Sequence, residues 1–246
     1  MTMNAPSLAS DFAGWVDLGK RPLRPEASAA ASLTDGPCVR LFDDMPTLDF
    51  AEGAPLFRQG TTAREVFLLE HGLVKVVFLD PGGEEVIAQI CSTPGTVIGD
   101  ACAILGRHFV SAVVVTRNTR LRRIGADKLI EQVRNNSELS WHLHRSHCQR
   151  HAELLDRAAQ LGYLSVRKRV EQLIWDLSTA CELLPTRKGL RMELPLKYRE
   201  LAQLISVSPE HLCRTLASMQ KEGLILREKG WLFLIERDAL FRRSRR

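Results

Sequence analysis

The chain has 246 residues, of which 45% are hydrophobic and 26% are charged. These fractions are typical of a folded globular protein and exclude a collagen-like, a disordered or a disulfide-scaffold chain. The net charge is +5, but residues 161–246 hold 17 basic against 10 acidic side chains, whereas the rest of the chain holds 17 against 19. A basic C-terminal third predicts a domain that binds a polyanion such as nucleic acid.

The cysteines and the apolar segments bear on where the protein is found. Six cysteines without a CxxC pair do not make a disulfide framework, so we expect a reducing, cytoplasmic compartment. No apolar run approaches the ~20 residues that a transmembrane helix needs. The N-terminus also lacks the basic and apolar segments of a secretory signal. We therefore expect no membrane partner.

The first half of the chain changes character near Leu48. Residues 1–40 are rich in Ala, Pro and Ser and predict a loosely packed arm. Beyond it, short apolar runs alternate with Gly and Pro at 66–69, 73–79, 85–90, 96–98, 111–115 and 119–124. This spacing is typical of antiparallel strands in a barrel or sandwich. The sequence Asp80-Pro81-Gly82-Gly83 predicts a tight turn, because Pro fixes φ and Gly accepts positive φ.

Helical periodicity replaces this pattern from about Ala126. Residues 126–161 contain neither Gly nor Pro, and their apolar positions recur at helical spacing. They predict a short helix, a break near Asn135-Asn136 and a long helix from about Ser137 to Ala159. A helix of that length needs a partner for its apolar side, and a coiled-coil-like homodimer is the simplest solution.

The basic third begins with a helical pattern that ends near Pro185. Two further helices follow, and then a pair of strands joined by Glu228-Lys229-Gly230, a plausible hairpin turn. Helices followed by a β-hairpin in a small basic domain predict a winged helix-turn-helix. The expected fold class is α+β, with an antiparallel, jelly-roll-like β-roll, a long dimerisation helix and a C-terminal winged helix-turn-helix.

The most informative segment is LKYRELAQLISVSPEHLCRTLASMQKEGLI at 196–225. Ser208 is a good N-cap for its second helix, and Pro209 suits the first helical position. At about 100° per residue, Glu210 and Arg214 point away from the apolar side of this helix. Arginine can bind guanine bidentately, glutamate can accept a hydrogen bond from cytosine, and the two are spaced to pair with each other. The segment therefore predicts a DNA-recognition helix.

From about residue 48 to 236, three-quarters of the chain resembles the CRP/FNR superfamily of dimeric bacterial transcription regulators. The matching sequences are HGLVKV at 71–76, PGTVIGD at 94–100, SVRKRVEQLIWDLS at 165–178 and the helix-turn-helix at 199–222. The resemblance implies an effector-sensing β-roll over 41–125, a dimerisation region over 126–161 and a winged helix-turn-helix over 162–246. It also implies three partners: double-stranded DNA, a second copy of the chain and RNA polymerase.

The family's base-contacting pattern includes a Glu and an Arg, which Glu210 and Arg214 match. This match implies palindromic sites with TGA/TCA-like half-sites. Pro209 stands where cyclic-AMP-type members carry another Arg, and Cys213 where oxygen-sensing members often carry Ser, so the outer bases stay open. The other residues that we expect at the DNA, several of them at phosphates, are Ser208, Pro209, His211, Ser218, Lys197, Arg199 and Lys221. The basic tail FRRSRR at 241–246 is a further candidate.

The resemblance also points to an effector pocket, formed by Gly99, Asp100, Ala101, Val110 and Ser111. In cyclic-AMP-responsive members an Arg-Ser pair holds the phosphate, and a Glu after a Gly holds the ribose. Val110 replaces that Arg, so a buried phosphate loses its charge-assisted partner. The sequence therefore argues against ordinary cyclic AMP binding, although Arg107 and His108 lie close by.

Other sensors of the family use iron. The six cysteines are too scattered for an iron–sulfur cluster, which needs four thiolates. Haem stays open as a cofactor. His144, His147 and His151 share one helical face at a spacing that can bind a metal, although histidines on a polar helix surface are the commoner outcome.

The sequence shows no nucleophile–base motif, P-loop, HExxH or dinucleotide glycine pattern, so we do not expect an enzyme. The alternative to a transcription regulator is a ligand-binding regulatory module (cyclic nucleotide, haem or metal) that acts through protein contacts. A module of that kind lacks an outward Glu and Arg on a helix followed by a wing. Glu210, Arg214 and the wing therefore distinguish the two functions.

Overall fold

The computed structural model describes residues 36–181, 183–228 and 230–235. Most of the predicted arm, Lys229 in the predicted hairpin turn and the basic tail at 241–246 lie outside these residues. Within them, the N-terminal antiparallel sheets, the long helix and the C-terminal helix-turn-helix confirm the predicted α+β fold.

From residue 36 onward, eight strands build the N-terminal domain as two four-stranded antiparallel sheets, in the orders β1-β8-β3-β6 and β2-β7-β4-β5. The strands are β1 (Leu48–Phe50), β2 (Pro55–Phe57), β3 (Glu65–His71), β4 (Val74–Leu79), β5 (Glu85–Cys91), β6 (Val97–Ile98), β7 (Ser111–Val114) and β8 (Thr119–Gly125). The predicted turn joins β4 to β5: the Gly83 amide donates to the Asp80 carbonyl over 2.9 Å, and Gly83 has a φ of 83°.

Strand β3 explains why the run VFLL at 66–69 does not alternate with polar residues. Phe67 and Leu69 face the core between the two sheets. Val66 and Leu68 face a second apolar cluster, which helices cover. A strand that is buried on both faces needs apolar residues at every position.

The helices described between residues 36 and 163 are α1 (Pro37–Arg40), α2 (Asp100–Leu105), α3 (Ala126–Asn135) and α4 (Ser137–Tyr163). The predicted break at Asn135-Asn136 is present, and the Asn136 side chain caps α4 by accepting the Leu139 amide over 3.0 Å. The predicted end near Ala159 is wrong, since α4 continues to Tyr163. Gly162 costs a helix only about 1 kcal/mol, and no breaker precedes Ser165, the N-cap of the next helix.

The C-terminal domain contains α5 (Val166–Ala180), α6 (Tyr198–Leu204) and α7 (Pro209–Lys221), together with β9 (Leu183–Thr186), β10 (Gly189–Glu193), β11 (Ile225–Glu228) and β12 (Trp231–Leu234). The four strands form one antiparallel sheet in the order β11-β12-β10-β9. The sequence predicted only the β11–β12 pair. Pro185 hid the other hairpin, because Pro is tolerated on an edge strand such as β9.

The apolar faces of α5, α6 and α7 and the inner face of this sheet share one core. Leu212, Leu216 and Met219 of α7 are buried there. Among the residues that the structure describes, no helix has both the length and the hydropathy needed to cross a bilayer.

Candidate DNA interface and effector corner

The helix-turn-helix places α7 through a short, well-defined turn. Ser206 adopts a φ of 52°, and the Val207 amide donates to the Ala202 carbonyl over 3.1 Å. The predicted cap is confirmed: the Ser208 hydroxyl accepts the His211 amide over 3.2 Å, and Pro209 is the first helical residue. The N-terminus of α7 is therefore fixed at the molecular surface.

Glu210 and Arg214 are both exposed, on the side of α7 opposite its buried residues. The predicted salt bridge between them is absent among the described residues. The carboxylate of Glu210 instead lies in the first turn of the helix. Its own backbone amide, the Ser208 hydroxyl and the charge of Arg214 hold the pKa of Glu210 below its ordinary value. Both side chains are thus exposed and unpaired with each other, so an outside partner can reach them.

Five other residues predicted to contact DNA are also exposed. His211, Ser218 and Lys221 are exposed on α7, and Lys197 and Arg199 are exposed at the start of α6. The side chains of two of the five pair with glutamates, since Ser218 donates to Glu222 over 3.1 Å and Arg199 is paired with Glu84.

Two arginines that the sequence analysis did not select hold the helix-turn-helix in place. Arg167 of α5 binds Glu222, just beyond α7, with two hydrogen bonds of 2.8 and 2.9 Å. Arg169 donates to the carbonyls of Ile205 and Ser206 over 2.7 and 3.3 Å. Their partners in the helix-turn-helix lie more than thirty residues away along the chain, so helical spacing gave no signal for this role.

We call the predicted pocket residues Gly99, Asp100, Ala101, Val110 and Ser111 the effector corner. Asp100 is 4% exposed, and one of its oxygens accepts Arg150 over 2.6 Å and His147 over 3.0 Å. Its other oxygen accepts the Ala101 amide over 2.9 Å. Burial raises the pKa of Asp100, but the bonds from His147 and Arg150 outweigh burial and leave this pKa below its ordinary value.

The rest of the effector corner is also engaged. The Ser111 hydroxyl accepts the Gln59 amide over 2.9 Å, and Val110 packs against the core between the sheets. Gly99 has a φ of 93°, and a Cβ there would lie 3.2 Å from the Phe57 ring. None of the five residues is a cation that could pair with a phosphate, and the carboxylate of Asp100 already binds Arg150 and His147. These residues do not fit the recognition of an ordinary cyclic nucleotide.

The three histidines proposed as weak metal candidates do not converge. His147 turns to Asp100, whereas His144 lies 3.7 Å from the Cys148 sulfur and His151 is exposed. Within the described ranges, no group of three His, Cys, Asp or Glu side chains could hold a metal ion.

Two sequence families match the chain. The cyclic nucleotide-binding domain matches residues 47–136, and the Crp-like helix-turn-helix domain matches residues 168–243. The CRP-like cAMP-activated global transcriptional regulator of Mycobacterium tuberculosis is 25% identical over 222 residues, which cover 89% of this chain and 94% of that protein.

Solved structures of other proteins share the fold, and two of them are similar over most of their length. FixK2 from Bradyrhizobium japonicum has a TM-score of 0.65 at 19% identity and covers 80% of this chain and 96% of its own. A CRP-family transcriptional regulator of Thermus thermophilus has a TM-score of 0.65 at 22% identity, with coverages of 81% and 96%. With its cyclic nucleotide-binding-type domain followed by a helix-turn-helix DNA-binding domain, the chain belongs to the CRP/FNR family of transcription regulators.

Proposed function

We propose that the protein is a homodimeric, sequence-specific regulator that binds palindromic DNA with TGA/TCA-like half-sites. The observation that carries this proposal is the outward position of Glu210 and Arg214 on a helix whose opposite side is buried. An arginine there can bind guanine O6 and N7, and a glutamate can accept a hydrogen bond from cytosine N4. Lys197, Arg199 and Lys221 would contact phosphates and add affinity without sequence preference.

The long helix α4 supports the dimer. Its first turns are buried against the N-terminal domain through Leu139 and Leu143, but Leu154, Leu155 and Tyr163 are 56%, 59% and 66% exposed. Exposed leucines on a helix of this length are typical of a helix–helix interface. To bind half-sites one DNA turn apart, a dimer formed along α4 would have to hold its two copies of α7 ~34 Å from each other.

We further propose that the N-terminal domain passes its signal through α4 and that RNA polymerase is the partner at the promoter. Asp100 supports this route, because Arg150 and His147 join the effector corner directly to α4. Since the corner does not fit a cyclic nucleotide, the signal differs from the cAMP named for the Mycobacterium relative.

A gel shift on a TGA/TCA palindrome and on a scrambled duplex tests the proposal. Wild-type protein should prefer the palindrome by at least about a hundredfold. Arg214→Ala should lose most of this preference, because two bidentate guanine contacts are worth about 1–3 kcal/mol each. The matched control is Arg64→Ala, which removes an exposed arginine from the N-terminal domain. Equal binding of both duplexes, or an Arg214→Ala variant that behaves like the control, would refute the proposal.

A further inference from the structure

The hairpin between β4 and β5 reaches across to the C-terminal domain. Its strand β5 contacts α6, the first helix of the helix-turn-helix, and Gln203 donates to the Glu85 carbonyl over 3.0 Å. Ile90 of β5 packs against the apolar core of the C-terminal domain. The contact thus combines polar and apolar groups, and it joins the two domains within one chain.

The centre of this contact is a half-buried ion pair. Lys75 of β4 donates to Glu200 of α6 over 2.7 Å, and their side chains are only 16% and 21% exposed. Glu200 also accepts the Lys197 amide over 2.9 Å and so completes the N-terminal cap of α6. The N-terminus of α6, where we expect DNA phosphates, is therefore attached to the sensing domain.

The edge of the contact involves a residue that we expect at the DNA. The guanidinium of Arg199 is paired with the carboxylate of Glu84, in the β4–β5 turn. Asp80 and Glu85 lie in or beside the same turn, and Glu85 shares Lys75 with Glu200. A DNA backbone that approached α6 would meet an arginine already neutralised by a carboxylate, with further acidic groups next to it.

We propose that the β4–β5 hairpin is an autoinhibitory contact, in which Glu84 occupies Arg199 and excludes a DNA phosphate until the hairpin moves away from α6. The inference rests on the proposed DNA-binding function and adds a competition between two anions for one guanidinium. A signal in the N-terminal domain that displaces the hairpin would free Arg199 in both protomers.

Fluorescence anisotropy of the full-length protein on the TGA/TCA duplex tests the competition across a series of KCl concentrations. Glu84→Gln should bind about three- to tenfold tighter, as expected for the release of one exposed ion pair per protomer. The slope of log K against log[KCl] should steepen by about 0.9 for each additional phosphate that the protein neutralises. In an Arg199→Ala background the same substitution should change nothing, because the two residues act through one contact.

The matched control is Glu52→Gln, which removes an exposed glutamate paired with Arg117 inside the N-terminal domain. Equal affinities for Glu84→Gln and Glu52→Gln, or weaker binding by Glu84→Gln, would overturn the autoinhibitory contact while leaving sequence-specific binding intact. If the wild type bound the palindromic and the scrambled duplex equally well, the proposed function would be overturned, and the proposed competition with it.

Hydrogen exchange of the DNA-free protein provides a readout of the contact itself. Lys75→Met removes the half-buried ion pair without touching any residue expected at the DNA. The amides of α6 should exchange faster in Lys75→Met and Glu84→Gln than in wild type, and Glu52→Gln should leave them unchanged. Unchanged exchange in both hairpin variants would show that the hairpin does not hold α6, which also overturns the proposal.

Discussion

Charged side chains are buried and paired in the effector corner, but they are exposed on the outward side of α7, which carries Glu210 and Arg214 and which we call the DNA face. In the corner, the carboxylate of Asp100 is buried and accepts three hydrogen bonds from its own chain. On α7, the carboxylate of Glu210 and the guanidinium of Arg214 are exposed and do not pair with each other. Polar groups that a protein satisfies internally stabilise its fold, whereas groups left open at a fixed surface are available for recognition.

The largest effect should come from the corner. Asp100→Ala leaves Arg150, whose side chain is 27% exposed, without its carboxylate. Removing one partner of a buried ion pair costs about 3 kcal/mol of unfolding free energy. Urea denaturation at matched protein concentration measures this loss. Asp49→Ala, at an exposed position of β1, is the control and should cost far less. An equal loss in both variants would contradict a structural role for the corner.

The same carboxylate predicts a pH dependence. Because the pKa of Asp100 in the folded protein lies below its ordinary value of 3.8, its stabilising contribution is present above that pH and is lost on further acidification. The stability difference between wild type and Asp100→Asn should therefore be constant near neutral pH and shrink in strong acid. A difference that grows as the pH falls would have the wrong sign.

The DNA face should respond in binding and not in stability. Glu210→Ala should lower discrimination at the cytosine of each half-site by about 1–3 kcal/mol. It should change the free energy of unfolding by less than about 1 kcal/mol, since the exposed residue contributes only through the helix N-terminus. Anisotropy on duplexes with substituted half-sites measures the first quantity, and urea denaturation measures the second. Loss of stability without loss of base preference would assign Glu210 to the fold.

The sequence predicted those features that depend on residues close together in the chain, and it missed those that depend on residues far apart. The apolar runs between Gly and Pro predicted the strands. The spacing of Leu212, Leu216 and Met219 placed Glu210 and Arg214 outward. Both patterns are local. The partners of Asp100 lie about fifty residues away, on α4. The resemblance compared Asp100 with a ribose-binding Glu, and a comparison of single positions carries no information about ion pairs formed across the fold.

A smaller, matched effect separates capping from recognition at Ser208. The hydroxyl of Ser208 caps α7, and the side chain of Asn136 caps α4 in the same way. Each substitution by Ala should cost about 1 kcal/mol of stability. Only Ser208→Ala should also weaken specific DNA binding, because its helix is the one that we propose to enter the groove. Similar DNA affinities for the two variants would show that this cap has no part in recognition.

The last substitution, Val110→Arg, should have no effect on cyclic AMP binding, and it tests whether the effector corner is closed to this ligand. Val110→Arg restores the side chain that cyclic-AMP-type relatives use for the phosphate, so on sequence alone it should create a binding site. In the structure the Ser111 hydroxyl is bound to the Gln59 amide, and Asp100 is bound to Arg150 and His147. The new guanidinium could contact a phosphate, but the Ser111 hydroxyl and the Asp100 carboxylate would not be free to bind the rest of the nucleotide. Calorimetry should therefore detect no saturable cyclic AMP binding. Circular dichroism would establish that the variant is folded. Saturable binding by Val110→Arg would mean that the ligand can break the Asp100 ion pairs. The effector corner would then be closed only while no ligand is bound, and its ion pairs would not exclude a ligand.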